Sequence, residues 1–386
     1  MTDKNEIISE VSKLHSLGKY SEAEILLENL IIKYPEDSQL KINLAVIYRA
    51  LEKSKEAKDI LHKLLEFEPN NAYANNNLAN LYNQENLYQE SIKYYKKAFE
   101  INPSMENIHN NLGGILYKIG EFEEALAVFK DPQQNIKPDV YILQCLLALG
   151  KYDDFWSNIK KLSTGKPNVG IASISAYASE KLEVEDIYPF CRNSLDCVYK
   201  AKANLFDARI LGLLKDTKNA ISQKNLDSRR QSLITNGKQT AGNFFERKDK
   251  LGYDLLVFLT NILDDYKNYL PQEDDIISHW PKDPKFNGWG IFLNNTGFLA
   301  AHNHIKGWVS GAIYLQIPDN IKQGEAAISF SYDGPEYPKI NDKKLKQKLV
   351  GLETGDIVIF PSSLFHNTLP FESEEDRICF AFDVNP

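Results

Sequence analysis

The sequence predicts an α+β protein of two parts: an all-α solenoid of helical hairpins, followed by an antiparallel β barrel or sandwich. In the first half, proline, small and aromatic residues recur at one constant interval, which is typical of stacked hairpins. In the second half, short runs of β-branched and aromatic residues are separated by turn residues, with no helical segment between them. The 386 residues are enough for two or three domains.

The first half repeats with a period of 34 residues, marked by Pro35, Pro69 and Pro103. The positions that keep this period are small or apolar, and they comprise Ala23, Ala57, Ser91 and Ala125 in one column and Leu44, Leu78 and Leu112 in another. Small residues let two helices cross closely, and proline ends the second helix of a pair. This is the signature of the tetratricopeptide repeat, and we assign residues 1–160 to the array.

Asparagines follow the same period on the first helix of successive repeats. They occupy two neighbouring columns, Asn43, Asn77 and Asn111 in one and Asn76 and Asn110 in the other. An exposed amide offers both a donor and an acceptor, which matches the backbone of an extended peptide. The array resembles those of the O-linked N-acetylglucosamine transferases, which implies a peptide or protein partner in the groove. The alternative is that these asparagines serve the repeat itself.

The remaining chain divides near residue 235. Residues 161–235 mix helical periodicity with polar breaks and are expected to form a helical linker region. Within residues 236–386, one further helix is expected over about 251–270, followed by five or more short strands. The strands are WGIFLNN, SGAIYLQI, AAISFSY, DIVIFPS and RICFAFDV.

Three histidines and one arginine stand at the ends of these strands. His302 and His304 lie two residues apart, so in an extended strand both imidazoles project from one face and can reach one ion. His366 follows a later strand, and Arg377 heads the final strand eleven residues after it. A single histidine beside a strand is ordinarily structural, and Arg377 could form a surface ion pair. The combination predicts a metal site.

This order resembles the iron(II)/2-oxoglutarate dioxygenases, in which a His-x-Asp/Glu pair, a distal histidine and a later basic residue share a double-stranded β-helix. The resemblance implies that His302, His304 and His366 bind Fe(II) and that Arg377 holds the far carboxylate of 2-oxoglutarate. It also makes Tyr314, Ser310 and Cys379 candidate contacts of the cosubstrate, although Tyr314 could equally pack in the core.

A closer resemblance is to 2-oxoglutarate oxygenases of bacteria and phages that follow the HxH motif with SG-x-x-Y. Here that run is Ser310-Gly311-Ala312-Ile313-Tyr314, and GDIVIFPSSLFH and R-I-x-F follow at 355–366 and 377–380. Many members of that group carry tetratricopeptide repeats in front. The end RICFAFDVNP also resembles the aspartyl/asparaginyl β-hydroxylases, which act on proteins. The expected activity is therefore oxidative hydroxylation of a peptide or protein side chain.

Two residues depart from the pattern of those enzymes. His304 stands where most of them have an acidic ligand, so three neutral imidazoles would leave the Fe(II) site one charge unit more positive. Either His304 is a ligand, or the ion has two protein ligands and water. Cys379 replaces the serine or threonine that often helps the arginine hold the cosubstrate.

Two other functions remain open from the sequence. The HxH pair, the later histidine and ETGDIVIFPSSLFH also resemble the two motifs of cupins, metal proteins that need no 2-oxoglutarate. The glutamate expected after HxH is missing, however, and a cupin has no use for Arg377. The other possibility is a repeat adaptor whose barrel has no turnover.

Composition excludes some partners. The net charge is −8 and no Lys/Arg-rich run occurs, which argues against nucleic acid and anionic membranes. The start MTDKNEIISEV has no apolar core of a signal peptide, and the four cysteines show no CxxC pairing. We therefore expect a cytoplasmic protein; the sequence specifies no oligomeric state.

Overall fold

The computed structural model describes residues 4–133, 139–223, 228–229 and 232–386. It divides into two compact units, Met1–Leu149 and Gly150–Pro386. Part of the junction between the expected array and linker, residues 134–138, lies outside the described residues. Among the helices of the described ranges, none is both long and apolar enough to cross a bilayer.

The described part of the first unit is helical. Its helices are α1 (Lys4–Ser16), α2 (Tyr20–Lys33), α3 (Ser38–Ala50), α4 (Ser54–Phe67), α5 (Ala72–Gln84), α6 (Tyr88–Ile101), α7 (Ile108–Lys118), α8 (Phe122–Phe129) and α9 (Asp139–Ala148). Consecutive helices pack against one another from α1 to α9. Each repeat-ending proline lies two residues after the last residue of the second helix of a hairpin, at α2, α4 and α6. The predicted helical solenoid is confirmed.

The 34-residue period has a physical cause at two columns. The small residues where paired helices cross, Ala23, Ala57, Ser91 and Ala125, are all 0% exposed. The turn inside each hairpin contains a residue with positive φ, at Gly18 (72°), Glu52 (60°), Asn86 (61°) and Gly120 (89°). The backbone keeps this left-handed turn in all four repeats, although only two of them use glycine, the residue that adopts it without strain. Asparagine also adopts this conformation readily, so packing imposes the turn against the local preference at Glu52.

The second unit contains five α-helices and ten strands in its described part. The helices are α10 (Tyr152–Leu162), α11 (Val169–Leu182), α12 (Ala208–Ile221), α13 (Lys250–Tyr269) and α14 (Asp275–Ser278). The strands are β1 (Tyr199–Lys202), β2 (Ser228–Arg229), β3 (Ile234–Thr240), β4 (Lys285–Leu299), β5 (Val309–Gln316), β6 (Ile328–Ser331), β7 (Gln347–Val350), β8 (Asp356–Pro361), β9 (Phe365–Thr368) and β10 (Arg377–Asn385).

The strands form two antiparallel sheets. One has the order β1-β8-β5-β10-β4-β3-β2 and the other the order β7-β6-β9. From β4 onward the chain crosses between the sheets several times. Strands β4 and β5 lie in the first sheet, β6 and β7 in the second, β8 in the first and β9 in the second, and the last strand, β10, returns to lie between β4 and β5. An isolated bridge between His302 and His366 adds one more pairing beside β9. This is the strand order of a double-stranded β-helix, and it confirms the predicted fold class.

The five expected strands correspond to β4, β5, β6, β8 and β10, and α13 corresponds to the helix expected over 251–270. Short β7 and β9 were not predicted, because four-residue strands carry little periodic signal. The expected linker region, 161–235, lies within the second unit. It supplies β1, which pairs with β8, and α12, which packs against β5 and β10.

Residues 183–198 of that region form no regular helix, although the region was expected to be helical. The Asp274 carboxylate accepts the backbone N–H groups of Cys191 and Arg192 at 2.6 and 3.0 Å. Cys191 also has a positive φ of 53°, which a right-handed helix does not allow. A partner 82 residues away in sequence thus satisfies backbone donors that a helix would otherwise satisfy.

The glycine of the SG-x-x-Y run is required by close packing in β5. A Cβ at Gly311 would lie 2.5 Å from Phe382 Cζ and 2.8 Å from the Val358 carbonyl oxygen. We expect Gly311→Ala to lower the free energy of unfolding by about 1–3 kcal/mol, as other overpacked core positions do. Gly212→Ala in α12 is the control, because nothing lies within 4 Å of its Cβ position. Urea unfolding checks both variants, and equal midpoints for Gly311→Ala and the wild type would contradict this packing.

Candidate metal and carboxylate site

Three imidazoles converge inside the barrel. One ligating nitrogen from each of His302, His304 and His366 lies within 4.8 Å of the others. The ring centroids are 4.3 Å apart for His302 and His366, and 5.1 and 5.2 Å apart for the pairs that include His304. The structure therefore brings together the three residues that the sequence analysis selected as metal ligands.

Backbone hydrogen bonds hold the HxH segment against the second sheet. The His302 N–H donates to the His366 carbonyl at 3.1 Å, and the His366 N–H donates back at 2.9 Å. The His304 N–H donates to the Ser362 carbonyl at 3.1 Å, and the Asn303 side chain donates to Ser173 in α11. The segment is one bridge followed by a loop, not the continuous strand of the sequence-based argument. These backbone hydrogen bonds, and not a regular strand, bring the imidazoles of His302 and His304 into the same cavity.

Hydrogen bonds also determine which ring nitrogen is available to a metal. His302 Nδ1 lies 2.8 Å from the Ala300 carbonyl, and His304 Nδ1 lies 2.7 Å from Asp383 Oδ1. A carbonyl and a carboxylate can only accept, so each Nδ1 carries the proton and each Nε2 keeps its lone pair. Nδ1 of His366 is buried and has no hydrogen-bond partner among the described residues.

The histidines sit in a setting that favours the neutral ring. Burial lowers the pKa of His302 to about 4, and the nearby His304 adds to this shift. Burial and the two neighbouring imidazoles also hold the pKa of His366 well below its ordinary value. Both rings are therefore neutral at pH 7, which is the form that coordinates a metal. Three convergent imidazoles, one with an unpartnered buried nitrogen, fit a divalent transition metal.

The imidazoles open into a cavity of about 600 Å³ between the two sheets. Its lining includes Trp289, Ile291, Leu299, Phe360, Thr368 and Arg377. The volume is in the range of small-molecule sites. The mixture of apolar walls and a few convergent polar groups is also typical of such sites.

Arg377 is the cationic side chain at the buried wall of this cavity. It is 2% exposed, its Nε donates to the Ala326 carbonyl at 3.1 Å, and its guanidinium lies 5.0 Å from the centre of the Tyr314 ring. It forms no ion pair with a carboxylate of the described residues, so the surface ion pair considered from the sequence is wrong. A buried charge without a counter-charge is costly. A guanidinium in this setting can pair with an anion that enters the cavity.

The other expected cosubstrate contacts are also in the cavity wall. Cys379 Sγ lies 3.8 Å from Arg377 Nη1, and burial raises the pKa of this thiol, which keeps it neutral. Tyr314 lies opposite Cys379 in the sheet, and burial raises the pKa of its phenol well above the usual value. The Ser310 hydroxyl lies 2.7 Å from Asp383 Oδ1 and 2.7 Å from Ser362 Oγ. Ser310 therefore contacts the group that holds His304, not the arginine.

Sequence analysis missed two residues of the site, Asp383 and Trp289. Asp383 accepts from His304, and the Trp289 ring stacks on His304 at 5.9 Å with an interplanar angle of 16°. A signal for Asp383 was present, because alternate residues of a strand share a face. Arg377, Cys379, Ala381 and Asp383 all line the cavity. Nothing comparable marks Trp289, whose position depends on the pairing of β4 with β10.

The asparagine columns lie on α3, α5 and α7 of the first unit, and each asparagine of the column Asn43, Asn77 and Asn111 makes one internal hydrogen bond. Asn43 Oδ1 accepts from Gln39 at 2.9 Å, Asn77 donates to the Tyr73 carbonyl at 2.9 Å, and Asn111 donates to Asn76 at 3.0 Å. All of these side chains are partly exposed, and Asn110 is exposed. An amide has two N–H groups and a carbonyl, so one internal bond leaves capacity for a ligand.

Comparison with protein families divides the chain in the same way. A model described as "Putative 2OG-Fe(II) oxygenase" matches residues 287–383, which include the three histidines, Arg377 and Asp383. Models described as "Tetratricopeptide repeat" and "TPR repeat" match residues 14–81 and 79–120. A search of curated proteins found no match.

Solved structures similar to part of this chain include the following two. PilF of Pseudomonas aeruginosa is 17% identical, with a TM-score of 0.40 over 46% of this chain and 84% of that one. A thermophilic TPR protein of Thermus thermophilus is 19% identical, with a TM-score of 0.35 over 47% of this chain and 100% of that one. The chain thus has tetratricopeptide repeats in its N-terminal part and, at its C-terminus, a domain that matches the 2OG-Fe(II) oxygenase family.

Proposed function

We propose that this chain is an Fe(II)- and 2-oxoglutarate-dependent dioxygenase that hydroxylates a side chain of a peptide or protein. The observation that carries the proposal is Arg377, a buried guanidinium without an ion pair among the described residues. It lines the same cavity as the three convergent histidines. A metal site alone would not need it. A cosubstrate that chelates a metal at one end and presents a carboxylate at the other needs both.

The roles of the residues follow from their chemistry. His302, His304 and His366 would hold the metal, and three imidazoles leave coordination positions open for other ligands. The fork of Arg377 would grip the far carboxylate of 2-oxoglutarate with charge-assisted hydrogen bonds. When bound, iron and 2-oxoglutarate supply the oxidising chemistry that a protein side chain cannot supply.

Charge balance in the cavity supports a dianionic cosubstrate. With neutral imidazoles, a divalent metal and Arg377 are opposed inside the cavity by the carboxylate of Asp383, while the remaining charged lining residue, Lys306, is exposed to solvent. Together the metal, Arg377 and Asp383 leave a surplus of two positive charges, which the two carboxylates of 2-oxoglutarate neutralise. Apolar walls such as Phe360, whose ring lies 4.7 Å from His366, strengthen each of these interactions because they keep the local dielectric low.

Anaerobic reconstitution with Fe(II) and 2-oxoglutarate tests the proposal. A visible charge-transfer band is expected, because it requires both ligands on one metal, and succinate release in air is expected to follow. Metal binding without the band would favour the cupin-type alternative, in which 2-oxoglutarate has no place. Binding of both ligands without succinate release would favour a repeat adaptor with an inactive barrel. Either result would refute the proposal.

We predict that His302→Ala and His366→Ala abolish stoichiometric Fe(II) binding, because each removes one of three neutral donors. Metal analysis after desalting measures the loss. His279→Ala is the matched control, since this histidine is exposed and lies outside the cavity. His304→Asp should retain metal, because it restores the carboxylate usual in these enzymes. Full occupancy in either alanine variant of the pair would contradict the ligand assignment.

We predict that Arg377→Leu weakens 2-oxoglutarate binding by about 10- to 100-fold and leaves the metal in place, as expected for the loss of a charged hydrogen-bonded pair. Titration of the charge-transfer band with 2-oxoglutarate measures the change. Arg247→Leu provides the control, because this arginine pairs with Asp249 away from the cavity. An unchanged affinity in Arg377→Leu would exclude Arg377 as the anchor.

The repeats suggest how a protein substrate is recruited. We propose that the columns of Asn43, Asn77 and Asn111 bind the backbone of an extended segment of the substrate. Side-chain amides can satisfy backbone N–H and C=O groups of any sequence, so they contribute affinity more than selectivity. The spacing of one repeat suits a segment that runs along the array.

We predict that the triple variant Asn43→Ala, Asn77→Ala, Asn111→Ala raises the KM for a protein substrate, because each lost hydrogen bond costs about 0.5–1.5 kcal/mol. Turnover of 2-oxoglutarate without substrate should be unchanged. Asn158→Ala is the control, since its amide makes the same i−4 bond to a helix carbonyl as Asn77 does. A parallel fall in uncoupled turnover would show that the asparagines are structural, and no change in either rate would exclude the groove as the substrate site.

A further inference from the structure

We infer that Asp383 is a positioning residue that supplies, through the imidazole of His304, the negative charge missing from the metal's direct ligands. The inference rests on the metal site of the proposed function. It goes beyond that function because it assigns a role to a residue outside the HxH, distal histidine and arginine motifs.

The contact between Asp383 and His304 is short and sheltered. Asp383 Oδ1 lies 2.7 Å from His304 Nδ1, and the two side chains are 14% and 16% exposed. In the described part of the chain, Asp383 has no Lys or Arg partner. Its carboxylate therefore interacts with the imidazole and is not neutralised by a lysine or arginine of the described residues. A charge-assisted bond in such a setting is stronger than an exposed one.

Neighbouring groups hold both members of this pair in place. Ser310 lies opposite Asp383 in the pairing of β5 with β10, and its hydroxyl lies 2.7 Å from Oδ1 of the carboxylate. Ser362 Oγ lies 2.7 Å from Ser310 Oγ, and the Ser362 carbonyl accepts the backbone N–H of His304. Trp289 stacks on the other partner, the His304 ring. The geometry is thus defined from three strands and a loop.

The charge count explains why this position is acidic. Two imidazoles and one carboxylate leave a divalent metal with one net positive charge, whereas three neutral imidazoles leave two. A carboxylate hydrogen-bonded to the far nitrogen of one imidazole brings the net charge back to one, although this carboxylate does not touch the metal itself. A hydrogen bond of this kind also fixes the tautomer and raises the basicity of the ligating nitrogen. The residue change at position 304 and the acidic residue at 383 are therefore two parts of one arrangement.

The test compares Asp383→Asn with the wild-type full-length chain. The amide keeps the shape and one acceptor oxygen but removes the charge. With Co²⁺ alone as an optical probe, affinity should fall about 10- to 100-fold, the usual effect of losing such a partner. In the iron-loaded protein the Fe(III)/Fe(II) potential should rise, because the oxidised ion loses more from the missing charge. Asp376→Asn is the matched control, an acid-to-amide change beside the same strand that touches Asn294 and not the site.

A second background separates charge supply from a structural role. In His304→Asp the carboxylate is already a direct ligand and no imidazole remains for Asp383 to act through. The effect of Asp383→Asn on Co²⁺ affinity should therefore vanish in that background, whereas a folding defect would persist in both. An unchanged affinity and potential in the single variant, or an undiminished loss in the double variant, would overturn the inference. If Co²⁺ binds as expected but Fe(II) and 2-oxoglutarate show no joint band, the proposed function falls and the role of Asp383 stands.

Discussion

The antiparallel pairing of β10 between β4 and β5 is the constraint on which the candidate site depends. This last strand carries Arg377, Cys379, Ala381 and Asp383 at alternate positions, and all four line the cavity. The register places Cys379 opposite Tyr314 and Asp383 opposite Ser310. Because side chains alternate with a period of two, a slip by one residue would turn all of them away from the cavity. Two neighbouring strands over nearly the full length of β10 make such a slip costly.

A second pairing brings the histidines to this wall. The HxH segment and β9 are separated by more than sixty residues in sequence, yet His302 and His366 exchange both backbone hydrogen bonds. The same sheets bury the rings, and burial is the main cause of the lowered pKa values of His302 and His366. The same strand pairing therefore brings the imidazoles together and keeps those of His302 and His366 neutral, and a metal site needs both.

The two charged side chains of β10 lie toward opposite ends of the strand and have different partners. Asp383 and Arg377 lie six residues apart on one face of β10, but Asp383 bonds to His304 and Arg377 contacts Tyr314 and a backbone carbonyl. Because Arg377 forms no ion pair among the described residues, its guanidinium stays available to an anion, while Asp383 bonds to an imidazole. A buried charge without a counter-charge costs stability, as is typical of binding sites.

The sequence by itself determined the elements whose signal is local or periodic. The 34-residue interval, the buried small residues and the prolines sufficed for the array, since each repeat contacts mainly its neighbours. The five longer strands, the three histidines and Arg377 were likewise visible, because strand ends and residue types identify them. The double-stranded β-helix itself followed from resemblance and not from the strand pattern, which allowed a barrel or a sandwich.

Only the tertiary structure decided the rest. It showed that Arg377 has no ion pair in the described chain, that Ser310 hydrogen-bonds to Asp383, and that Asp383 and Trp289 belong to the site. It also placed β1 and α12 with the barrel, where the sequence had suggested a helical linker. The reason is the same in each case. Each of these features depends on which residues, distant in sequence, are close in space: the strand partners, the neighbours that bury a side chain and the carboxylates that could pair with an arginine. A single sequence does not show these contacts.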